Sequence, residues 1–112
     1  SVGLEPRVLA HLQTLREAVH SRHVVQIDYA DVLGRASVRR LRPLGCFYGG
    51  KVWTLSAWCE LRNDFRGFRI DRMVHIAVLD QQFRQEPGKT LADLLRKVAA
   101  ERAECPPGPW PT

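Results

Sequence analysis

The sequence predicts an α+β chain, mainly β, in which a small five-stranded barrel carries one helix before it and one after it. Three observations predict this. Short alternations of apolar and polar residues, separated by turn residues, recur between positions 24 and 79. The stretches 4–22 and 90–103 instead repeat apolar residues at helical spacing. Five short strands with tight turns leave two exposed edges unless the sheet closes, so a barrel is expected over an open sheet. The expected division is an N-terminal helix at 1–22, a barrel at 23–80, a connection and C-terminal helix at 81–103, and a disordered proline-rich tail at 104–112.

In the first helix, Pro6 sits near the first turn, and Val8, Leu12, Leu15 and Val19 form one narrow stripe. Val24 to Tyr29 alternates, with Val25, Ile27 and Tyr29 on one side and Gln26 and Asp28 on the other. The segment DVLGR is of hairpin length. A second strand is expected over Ala36 to Leu44, limited by Pro43, with Gly49-Gly50 as the next turn. Its Arg39, Arg40 and Arg42 cannot all leave one face, so at least one pairs with a carboxylate or lines a groove. Asp28 and Asp71 are the candidate partners.

The most informative stretch is Val52 to Arg72, which reads as one hairpin. A turn at Asn63-Asp64 pairs Cys59 with Phe68, Ala57 with Ile70 and Leu55 with Arg72 on an apolar face. The same register pairs Trp58 with Arg69 and Ser56 with Asp71 on the other. Val74 to Leu79 supplies a fifth strand. Thr90 then caps the last helix, with Asp93 as the acidic half of a capping box and Leu91, Leu94, Leu95, Val98 and Ala99 as its stripe.

Charge is concentrated. Net charge is +5, yet between Arg35 and Arg72 nine basic residues face three acids. Eight of the nine are arginine, which suits bidentate contact to phosphate or carboxylate. Aromatic residues Tyr29, Trp53, Trp58 and Phe65 lie among them and could offer stacking surfaces to unstacked bases. The bland alternative is arginines that pair with neighbouring acids and blunt strand edges, over aromatics that are ordinary packing.

Other chemistries find little support. Cys46, Cys59 and Cys105 are odd in number and scattered, so reduced thiols are expected. His20 and His23 have no further ligands at metal spacing, and no Gly-rich phosphate loop occurs. The expectation is no enzyme and no cofactor. No apolar run approaches bilayer length and no secretory leader is recognisable, so a cytoplasmic location without membrane association is expected.

Trp53-Thr54-Leu55, Arg62 and the run DFRGFRIDRM, in the context RPLG, GGKVW and AWCELR, resemble the signature of the WYL domain over residues 22–80. Thr54 stands where that family usually has Tyr, which removes the phenol from that position. The resemblance implies a Sm-like barrel that senses a ligand in a bacterial transcription regulator, beside a helix-turn-helix domain. Among the ligands it implies is short single-stranded nucleic acid, and with the basic excess at 35–72 the expectation is a small anionic ligand or such a strand, bound on an arginine-lined sheet. The ligand positions it implies are Trp53, Thr54, Arg62, Arg66, Arg69 and Arg72, and the basic strand adds Arg40 and Arg42. The rival expectation is a ligand-free module for protein–protein contact, including homodimerisation.

Overall fold

The computed structural model describes residues 4–104. Helix α1 spans Pro6–Ser21, with Pro6 where its missing N–H costs nothing. It ends at Arg22, whose left-handed backbone (φ 56°) turns its N–H back onto Val19 O. Strands follow at β1 (His23–Ala30), β2 (Ala36–Gly49), β3 (Val52–Cys59) and β4 (Asp64–Arg69). A 3-10 turn at Ile70–Arg72 leads into β5 (Met73–Gln82), and helix α2 covers Leu91–Glu104. The tail expected at 104–112 lies outside the described residues except for Glu104, which ends α2.

All five strands belong to one antiparallel sheet in the order β4-β3-β2-β1-β5. The expected closed barrel is not formed, because no ladder joins β4 to β5 and the sheet stays open. The edge strand β4 still meets β1, the strand beside the other edge, at one point. Tyr29 on β1 packs edge-on against Phe68 on β4, with ring centres 5.2 Å apart, and its hydroxyl accepts the Arg69 N–H at 3.1 Å. Only the 3-10 turn separates the two edge strands in sequence, so the sheet curls into a split collar.

Three local expectations need correction. Strand β2 runs through Pro43 to Gly49, because a bulge between Pro43 and Gly45 absorbs the residue that cannot donate. The following turn is Gly50-Lys51, both left-handed (φ 60° and 68°), with Gly49 paired to Val52. In the β3–β4 hairpin, Leu55 pairs with Phe68 and Cys59 with Asp64, so the register lies four residues from the expected one. The loop holds Glu60 to Asn63, with Asn63 supplying the left-handed residue (φ 51°). An even slip keeps every side chain on its face. Cys59, Ala57 and Leu55 therefore stay in the core as expected, while Ile70 to Arg72 leave the strand.

The inner face of the curl buries Val25, Ile27, Leu41, Leu55, Ala57 and Phe68, closed from one side by Leu12, Leu15 and Ala18 of α1. Ala18, rather than Val19, completes the stripe, because a residue three positions after Leu15 faces the same way. On the outer face, Trp58 is only 9% exposed, edge-on to Phe65 at 5.1 Å. Lys89 lies 5.1 Å above the Trp58 ring and Lys97 6.0 Å above that of Phe65, so the C-terminal segment covers this part of the sheet.

Candidate functional site: an arginine-lined cleft at the mouth of the curl

At the β1–β2 hairpin, five residues fold around one carboxylate. Asp31 Oδ1 accepts the N–H groups of Leu33 and Arg35, each at 2.9 Å, and Oδ2 accepts Arg35 Nε at 2.9 Å. Gly34 supplies the positive φ (77°) that the turn requires. The Arg35 N–H, followed by its guanidinium, holds the Asp31 carboxyl below its ordinary range. Arg35 is thereby neutralised within its own hairpin.

Beneath this hairpin lies a cleft of about 330 Å³. Tyr29 and Phe68 form its floor, Gly67 contributes backbone, and Arg39 and Arg62 stand at its rim with Asp31, which Arg35 already holds. Arg39 pairs in register with Ile27, which assigns it to the inner face, and its Nε lies 3.4 Å from Ser37 Oγ. Among the described residues neither Arg39 nor Arg62 is in a salt bridge. Tyr29 Oη already accepts one backbone N–H, so its own proton is available to donate. Two guanidinium groups and a hydroxyl over an aromatic floor can hold an anionic group and pack a flat apolar one.

A larger open groove, about 1160 Å³, runs between α1 and β2. Arg16 and Glu17 both line it, so it favours no single charge, and burial pushes its Cys46 thiol up to about 11. That sulfur is protonated rather than nucleophilic at neutral pH.

The residues singled out from sequence do not share one place. Arg62 lines the cleft. Arg66 pairs with Ala57 on the inner face, whereas Arg69 pairs with Thr54 on the outer one, so the two arginines of β4 point opposite ways. Arg69 is held by Asp71, with contacts of 3.0 and 2.7 Å. Arg42 reaches Glu60 and Glu86, and Arg40 is exposed on the outer face opposite Gln26. Arg72 borders a separate recess beside Arg7, and Trp53 packs against the core with Tyr48 5.5 Å away. Of the aromatics proposed for stacking, Trp58 and Phe65 are spent on packing, and Tyr29 lines the cleft beside Phe68. Asp28, expected as a partner for the strand arginines, makes no ion pair among the described residues. Arg39 and Tyr29 are the site residues that charge density by itself does not single out.

This curled sheet, with its helix across the inner face, is a domain type already known. The WYL domain profile matches residues 10–78, and the chain belongs to that family. It is 33% identical over 75 residues to the uncharacterized HTH-type transcriptional regulator YobV of Bacillus subtilis (strain 168). That match covers 63% of this chain and 24% of YobV, so the chain spans about a quarter of that relative's length. Among solved structures, proteasome accessory factor B/C (PafBC) of Arthrobacter aurescens superposes with a TM-score of 0.69 at 16% identity. The overlap takes in 76% of this chain and 13% of that one, and shows the shared fold.

Proposed function

We propose that this chain is a non-enzymatic, ligand-sensing module of a bacterial transcription regulator, which takes an anionic ligand in the cleft under the β1–β2 hairpin. One observation carries the reading: among the described residues Arg39 and Arg62 flank an aromatic floor without a salt bridge, and the carboxylate that also lines the cleft, Asp31, is already paired to Arg35. The family membership and the relative's description as a helix-turn-helix regulator support the regulatory setting. The ligand is a small anion or the phosphates and one base of a short single strand. Binding there biases how the domain docks on its neighbours, a shift between states the domain already samples.

The test is fluorescence anisotropy of a short labelled single-stranded oligonucleotide at two salt concentrations, against a duplex of equal length. Contacts to four phosphates give a log–log salt slope of about −3. Arg39→Gln with Arg62→Gln weakens binding by about tenfold or more, while Arg40→Gln on the outer face changes it little. Binding unaffected by the double substitution would exclude this cleft, and absence of binding at low salt transfers the search to small anions. A second reading, a module for protein contact, is favoured by Val74 and Val78, 52% and 46% exposed on edge strand β5. Self-association that barely responds to salt would favour it.

A further inference from the structure

Strand β1 has a second basic cleft at its other end, about 25 Å from the first by the length of an eight-residue strand. It has a volume of about 300 Å³ and lies between the end of α1, the β2 bulge and the segment leading into α2. His20, Arg22, Arg84 and Lys89 line it together with Phe83 and Leu91, and no carboxylate does. Its position matters, since residues 83–91 follow the stretch that the family profile matches. This wall is contributed by the chain's own C-terminal segment.

The cleft is fixed in place by the backbone. Phe83 N–H donates to Arg22 O at 2.9 Å, and Gln82 Nε2 donates to Ser21 O at 3.1 Å, tying the segment to the end of α1. Leu91 lies over the side-chain face of Gly45, where a Cβ would meet its Cδ2 at 3.8 Å, beside the bulge at Leu44, which lines the same cleft. Lys89 is held between Glu86 at 2.7 Å and the Trp58 ring. Arg22 and Arg84 have no carboxylate within salt-bridge distance among the described residues. Like charges gathered in a partly enclosed space repel one another, and an anion removes that repulsion.

We propose that this cleft is a second anion site, for a small organic molecule with a phosphate or carboxylate head and an apolar body. Arg22 and Arg84 take the head, as guanidinium groups match both anions with paired donors. Phe83, Leu44 and Leu91 receive the body. The volume, at the lower end of ligand pockets, suits a small metabolite.

Phenyl phosphate, and inorganic phosphate beside it, titrated into the whole chain with backbone amide shifts as readout, tests this. Saturable shifts at residues 20–22 and 83–91 are expected, with phenyl phosphate about tenfold tighter than inorganic phosphate because its ring is buried. Arg84→Gln, in an exposed connection, weakens binding by about tenfold or more. Arg22→Asn does the same and keeps a side chain that tolerates the left-handed backbone. Arg39→Gln with Arg62→Gln leaves this affinity unchanged, which separates the two clefts. Lack of saturation by about 10 mM, shifts confined to the surroundings of Arg39 and Arg62, or full affinity in both Arg84→Gln and Arg22→Asn would each overturn the site. Equal affinity for the two probes would overturn the amphipathic ligand class.

Discussion

Tyr29 shows how much one side chain decides in this fold. Its ring meets Phe68 across the curl and its hydroxyl accepts the Arg69 N–H. Tyr29→Phe leaves that N–H without a partner and is expected to cost about 1 kcal/mol, read as a lower urea midpoint with unchanged slope. Arg69 and Asp71 form a second local device. The Arg69 hydrogen bonds hold the Asp71 carboxyl below its ordinary value. Its contribution to stability is therefore complete above the usual carboxylate pKa of about 4 and is lost as pH falls through the lower folded value. Asp71→Asn should flatten that part of the acid unfolding curve. Such pairings explain why single site residues were only partly legible in the sequence. Counting arginines between 35 and 72 reveals the density of charge but neither its direction nor its partners. The carboxylates that neutralise Arg42 are Glu60 and Glu86, 18 and 44 residues away along the chain.

Elements were more legible than residues, and helix α2 is the clearest case. Asp93 N–H donates to Thr90 Oγ1 at 3.1 Å, while Asp93 Oδ2 accepts the Thr90 N–H at 3.1 Å, the reciprocal box that the sequence predicts. These bonds keep the Asp93 carboxyl far below its usual range, with the Thr90 hydroxyl as the leading cause. No residue of α2 is buried, so little tertiary packing supports the helix if the cap is lost. Thr90→Ala is expected to lower its local stability by about 1 kcal/mol, seen as faster amide exchange over 91–104 while the sheet amides stay protected. Hairpin register was harder to read. Asn63-Asp64 has the composition of a tight turn, yet the chain makes a four-residue loop that uses Asn63 alone in the left-handed region. Residue alternation specifies faces, and faces repeat every two residues, so a slip of four is invisible to it.

For the molecule as a whole, the inner core is shared between the sheet and α1, and Leu15, fully buried, is the residue through which the helix seals it. Leu15→Ala is expected to cost about 2–5 kcal/mol and to shift the single unfolding transition without splitting it. The number of strands, the hairpin connections among the first four and the flanking helices were readable from pattern. Closure was not, because exposed edges can be managed in more than one way. Here β4 carries Arg66 and Arg69 along its edge, and β5 is bulged at both ends. A collar cut at one place concentrates its compliance at the cut. The seam is bounded by Tyr29 and Arg69 on one side and by the 3-10 turn on the other. Arg7 of α1 grips that turn through the carbonyls of Asp71 and Met73. The first helix is thereby tied to the one place where the sheet is left open.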